Sequence, residues 1–107
     1  MGYIVHHAII VTSWDSDLLK TAHDKAQKIF PAISNIVQGV RNGYDSFLIP
    51  PDGSKEGWDE SDAGDIARDE FIAWINTLRH EDGSSSIDWV EVRYSPDDKE
   101  VTIKRTT

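Results

Sequence analysis

The chain is 107 residues long, carries a formal net charge of −8 and contains no cysteine. That length allows one domain spanning residues 1–107 with a real core, and 38% hydrophobic and 28% charged content is ordinary for a globular protein. The missing cysteines exclude disulfides, thiolate metal sites and a cysteine nucleophile. The negative charge opposes duplex nucleic acid, and the longest apolar run, 8–11, is far too short to span a membrane. No basic leader opens the sequence, and His6 stands where a myristoylation signal needs Ser or Thr, so a cytoplasmic location is expected.

Residues 3–12 are rich in Ile, Val and His and read as a strand with a centre apolar on both faces. The polar run 12–16 supplies a cap for a helix over about 16–30, whose stripe is Leu18, Leu19, Ala22, Ala26, Ile29 and Phe30. Pro31 stops it. Residues 33–40 and 44–49 flank Arg41-Asn42-Gly43, and Asn-Gly between apolar runs predicts a hairpin, because both residues tolerate positive φ. A long acidic, glycine-containing connector follows over 50–65. A second helix is expected from Ser61 to about 80, with Ala67, Phe71, Trp74, Ile75 and Leu78 on one face. Residues 81–86 form a loop. The alternation over 87–94 puts Val90, Val92 and Tyr94 on one side and Trp89, Glu91 and Arg93 on the polar one. After a turn at 95–98, residues 100–104 are the last strand. The order βαββαββ predicts an α+β two-layer sandwich: a mainly antiparallel five-stranded sheet with two helices on one face. Trp89 on the open face then points to pairing with another subunit, a homo-oligomer such as a dimer or tetramer.

No nucleophile or zinc-protease motif is present. His6 and His7 are adjacent in a strand, so their rings point to opposite faces and cannot chelate one ion. Residues 59–70 imitate a calcium loop, but Ser61 and Ala63 stand where oxygen ligands are needed, so no metal site is expected. Neither is a cofactor. Thr12, Ser13 and Trp14 lie where the first strand meets the first helix, a place where backbone N–H groups favour anions. Ser84 and Ser85, after Gly83, offer hydroxyls to a phosphate. Ser54, Lys55 and Trp58 stand in the connector, where Lys55 is the only cation between Arg41 and Arg68. Trp14 or Trp58 suits base stacking.

The segments His6-His7-Ala8-Ile9-Ile10-Val11-Thr12-Ser13-Trp14, Asn42-Gly43-Tyr44, Asp52-Gly53-Ser54-Lys55-Glu56-Gly57-Trp58 and Asp82-Gly83-Ser84-Ser85-Ser86 with Trp89-Val90-Glu91-Val92 resemble a group of small bacteriophage proteins. Phage proteins of this size and fold class are similar to the anti-CBASS and anti-Thoeris sponges, which sequester cyclic nucleotide messengers of bacterial immunity. The resemblance implies an oligomer with pockets at subunit interfaces and no catalysis, at work in the host cytoplasm during infection. The acidic charge departs from what nucleotide capture suggests.

The resulting expectation is a non-enzymatic protein that binds a small anionic nucleotide through His7, Thr12, Ser13, Trp14, Ser54, Lys55, Trp58, Arg68, Ser84 and Ser85. An acidic inhibitor or nucleic-acid mimic, built on the carboxylates of residues 52–70, is the alternative. A small phosphodiesterase using His6 or His7 is the third.

Overall fold

The computed structural model describes residues 4–55, 57–96 and 101–107. The elements run β1 (His6–Ser13), α1 (Ser16–Ile29), β2 (Asp45–Ile49), α2 (Asp59–Ile75), β3 (Ile87–Tyr94) and β4 (Thr102–Thr106). The fold is α+β, with one antiparallel sheet in the order β2-β1-β3-β4. Both helices lie on one face of it, because a single core joins Leu19, Ala22 and Ala26 of α1, Phe71, Ile72 and Ile75 of α2, and Ile9, Val11, Phe47, Ile49, Ile87 and Trp89 of the strands. Each large apolar side chain fully buried there contributes about 1.5–3 kcal/mol. Among the described residues no helix is long and apolar enough to cross a membrane.

Helix α1 starts where the polar run allows it. Asp15 caps it by accepting the Leu18 N–H at 3.1 Å, and Phe30, extended before Pro31, ends it. Helix α2 begins two residues before Ser61 and stops at Ile75, short of 80. Asp59, Glu60 and Asp62 crowd its first turn, where the positive end of the dipole favours them. The connector before it therefore shrinks to residues 50–58.

The sheet has four strands where five were expected. The turn at Asn42-Gly43 forms, with φ of 61° and 69°, and the Tyr44 N–H reaches the Arg41 carbonyl. Residues 33–40, however, meet β2 through one antiparallel bridge, Val37 to Ser46, and through Ser34 beside Leu48. They flank β2 without forming a regular strand. Gly39 permits this approach, because a Cβ there would stand 1.8 Å from the Tyr44 carbonyl oxygen. The end of the 95–98 turn and the start of the last strand at residue 100 lie outside the described residues, as does residue 3 of the first.

Strand β3 has the expected bounds but the opposite phase. Ile87, Trp89 and Glu91 face the helices, while Val90, Val92 and Tyr94 face outward. Trp89 is 6% exposed, so it is a core residue and gives no reason for subunit pairing. The outward face instead carries Ile10, paired with Leu48 on one side and Val90 on the other, then Val92 paired with Ile103 across a bulge in the β3–β4 ladder. Ile10, Leu48, Tyr94 and Ile103 are all exposed.

Candidate functional site

A cleft lies where the C-terminal end of α1, the end of β2 with residues 50–54, and the first turns of α2 converge. Its volume is about 520 Å³, within the range of small-molecule pockets. Ile29, Phe30, Pro31, Ile49 and Pro50 supply apolar walls, and Trp58 stands over the side formed by α2. Trp58 occupies the N-cap position without capping the helix through its side chain, which leaves the indole half-exposed at the rim. The Lys55 ammonium lies 5.6 Å from that ring, close enough for a cation–π contact.

A charged cluster forms the polar end of the cleft. Glu91 is fully buried on the core face of β3 and takes ion pairs from two sides. Arg105 Nε donates to its Oε1 at 2.6 Å, and Arg68 Nε lies 3.3 Å from its Oε2. Arg68, 6% exposed, also donates through Nη2 to Asp65, and Arg105 reaches Asp69 at 2.9 Å. The Glu91 hydrogen bond raises the Arg105 pKa against the opposing effect of burial. Gly64 lets Asp52 and Arg68 pack closely against the α2 backbone. A Cβ on Gly64 would stand 2.8 Å from Asp52 Oδ2 and 3.2 Å from Arg68 Nη1.

Asp52 is held by its own turn. Its Oδ1 accepts the Ser54 N–H at 2.9 Å and the Ser54 hydroxyl at 2.7 Å, across Gly53 at φ 77°. Burial acts to raise the Asp52 carboxyl, but the Ser54 donors and the Arg68 charge outweigh it and hold it below the ordinary carboxylate value. The stabilisation linked to that ionisation is present above the ordinary value and is lost as pH falls through the lowered one.

The ten residues singled out in the sequence divide between opposite ends of the sheet. Ser54, Trp58 and Arg68 line the cleft, and Lys55 stands beside Trp58. Thr12, Ser13 and Trp14 are at the far end. Ser13 faces Asp45 at the start of β2, whereas Ile9 faces Ile49 at the cleft, and the four residue steps from Ile9 to Ser13 span about 13 Å. Thr12 bonds the Ser46 hydroxyl, and Ser13 donates to the Ser86 carbonyl, so both hydroxyls serve the fold. Ser84 donates to Asp82 and Ser85 to the Ile87 carbonyl. Trp14 is exposed and outside the cleft. His7 is buried on the helix side of β1, opposite Arg93, while the His6 ring lies tilted against Tyr94, with centroids 5.0 Å apart, on the outer face. The alternation expected of a strand thus separates the two histidines. Among the described residues, no group of three or more His, Asp or Glu is placed to hold a metal. His80 Nε2 lies 2.6 Å from Ser86 Oγ, on an exposed loop away from the cleft.

Asp52 and Gly64 also line the cleft, and Glu91 lies buried behind Arg68; none of the three was among the expected ligand-binding residues. Asp52-Gly53-Ser54 carries the turn signature that fixes the carboxylate, whereas the burial of Glu91 leaves no mark in a strand that reads as polar on that side.

In comparisons with known proteins, the chain matches no family model, no curated protein and no solved structure.

The buried cluster makes a direct prediction. Glu91→Ala leaves Arg68 buried without its carboxylate and is expected to cost about 3–5 kcal/mol in urea unfolding. A loss under about 1 kcal/mol would mean that Asp65 alone satisfies Arg68.

Proposed function

We propose that this protein captures a nucleotide without transforming it, holding the base in the cleft between residues 50–54 and α2. The observation that carries this reading is the combination of apolar walls, a half-exposed tryptophan at the rim and two polar groups at the inner end. That combination suits a flat heteroaromatic ring with a polar edge. Lys55, at the rim beside Trp58, is placed for a phosphate. Read with the resemblance to phage proteins, the ligand is a cyclic nucleotide messenger of bacterial defence, and the role is immune evasion by sequestration in the host cytoplasm. Sequestration asks for slow release, which burial of a ring provides, and not for transition-state stabilisation.

A second reading rests on one observation. Asp59, Glu60, Asp62, Asp69 and Glu70 of α2 are all exposed. That acidic surface suits a basic protein partner, and such a complex weakens steeply with salt.

A thermal-shift series with cyclic mono- and dinucleotides tests the first reading. Ligand at a hundred times its Kd stabilises by about 2.7 kcal/mol. For a domain of this size that raises Tm by more than about 10 °C. Trp58→Ala should remove most of the shift while changing apo stability by no more than about 0.5 kcal/mol, as an exposed residue does. Intact nucleotide recovered after heating separates capture from hydrolysis. If no nucleotide shifts Tm while a basic protein is released by salt, the acidic-surface reading replaces this one.

The reading also includes self-association, through the outward sheet face and with a second copy as occupant. Among strand residues whose pairing fixes them on that face, Asp88 is the only carboxylate, in a chain of net charge −8. Two such faces can meet without the repulsion that most of the surface would impose. Strands of eight, five, eight and five residues, about 4.8 Å apart with a rise of about 3.3 Å per residue, give a footprint of roughly 400 Å². Side-chain relief adds to its accessible area, and the contact is smaller than the ~800 Å² per partner of a standard interface. Light scattering at micromolar concentration should give a multiple of 12.1 kDa. Ile10→Asp should return the monomer with its fold intact. A wild-type monomer contradicts this interface.

A further inference from the structure

Arg68 is the inner cation of the cleft, and its charge is already spoken for. Nε faces Glu91, Nη2 bonds Asp65, and Asp52 lies close by. The immediate surroundings of this one guanidinium therefore hold three carboxylates. Arg105 balances part of that charge but is turned toward Glu91 and Asp69, and it does not line the cleft. A phosphate pushed to this end would meet more negative than positive charge and would lose its water as well. The remaining ligand functions are neutral. What the inner end does offer is one acceptor and one donor side by side. Asp52 Oδ2 and Arg68 Nη1 both approach the point where Gly64 lacks a Cβ, so they stand within about 6 Å of each other. Asp52 Oδ1 is taken twice by Ser54, which fixes the carboxylate and leaves Oδ2 on the side of Gly64.

We propose that the nucleotide enters base-first and that the cleft prefers guanine, with its N1–H and 2-amino groups both donating to Asp52 Oδ2 and O6 accepting from Arg68 Nη1, while the phosphate stays at the rim near Lys55. This rests on the nucleotide-capture reading and adds the orientation and the base. Arginine to O6 and a carboxylate to ring or amino N–H are the pairings that base edges dictate. Guanine is preferred because it presents two adjacent donors to a carboxylate beside an acceptor for the arginine. Adenine and cytosine present one amine and one ring acceptor, and so make one fewer contact with an ionised group. The lowered pKa of Asp52 agrees, since the carboxylate stays an acceptor at neutral pH. A larger residue at position 64 would collide with Asp52 Oδ2 and Arg68 Nη1 and displace the two groups that read the base edge.

Calorimetric titration of the full chain with guanosine, inosine, adenosine and 3′,5′-cyclic GMP tests this. Guanosine should bind within tenfold of cyclic GMP, because the phosphate stays outside, and at least fivefold more tightly than adenosine. Inosine lacks the 2-amino group and should fall at least threefold below guanosine on the wild-type protein, so the inference does not hang on a variant that might unfold. Asp52→Asn should bring guanosine and adenosine within twofold of each other. Equal affinities for guanosine and adenosine in the wild type, or a loss of more than a hundredfold on removing the phosphate, would overturn the proposal and leave nucleotide capture standing. Failure of all four compounds together with the cyclic dinucleotides would overturn both.

Discussion

A carboxylate with no solvent exposure sits in the middle of this molecule, and the arrangement around it follows from the need to neutralise it. Glu91 is on the core face of β3, among residues that are otherwise apolar. Such a charge is tolerable only when paired, and the pairs come from elements far apart in sequence: Arg68 on α2 and Arg105 on β4. These contacts tie the second helix to the sheet at one rotation about its axis. They also decide which of its residues face the cleft: Ala63, Gly64, Ala67 and Arg68. The small side chains among them leave the space, and the arginine gives it a polar end.

The two ends of the sheet are chemically different as a result. At the end where β1 meets α1, hydroxyls of Thr12 and Ser13 are absorbed by Ser46 and the Ser86 carbonyl, which closes that end. At the other, the stretch from Ile49 through Ser54 forms one wall of the cleft and touches α2 only where Asp52 approaches Gly64, with Ile4 bridging Lys55. The stretch is stiffened by Pro50, Pro51 and the Asp52–Ser54 turn. A preformed wall of this kind lowers the ordering cost of binding, and that matters for a protein whose work is retention.

Much of the fold was legible in the chain. The α1 stripe, its stop at Pro31, the Asn42-Gly43 turn and the bounds of β3 are local signals, and local physics decides them. The phase of β3 was not legible, because Val90, Val92 and Tyr94 look more like a core than Ile87, Trp89 and Glu91. The choice is made by Arg68 and Arg105, which are 23 and 14 residues from Glu91 in the chain and leave no trace in its alternation. The same limit governs the site. Ser54, Lys55, Trp58 and Arg68 converge because one turn leads straight into one helix. Their grouping with Thr12, Ser13, Trp14, Ser84 and Ser85 failed because spacing along the chain does not reveal at which end of a sheet a residue lies. That is fixed by register, Ile9 to Ile49 and Ser13 to Asp45. The fifth strand was lost for a related reason. Residues 33–40 carry strand-like composition but satisfy the β2 edge with only a few hydrogen bonds, one of them from a serine side chain accepting the Leu48 N–H.

The central claim is that Arg68 has two separable roles: partner of a buried carboxylate and polar end of the cleft. A double replacement, Glu91→Leu with Arg68→Met, removes both charges at once and leaves apolar volume in their place. Urea unfolding and cyclic GMP titration of this variant test the claim most directly. Stability should stay within about 1 kcal/mol of wild type or rise above it, as for other buried pairs replaced by packed apolar residues. Nucleotide affinity should be at least tenfold weaker. A variant that folds and binds as the wild type does would contradict it, because the charge cluster would then serve neither the cleft nor its ligand.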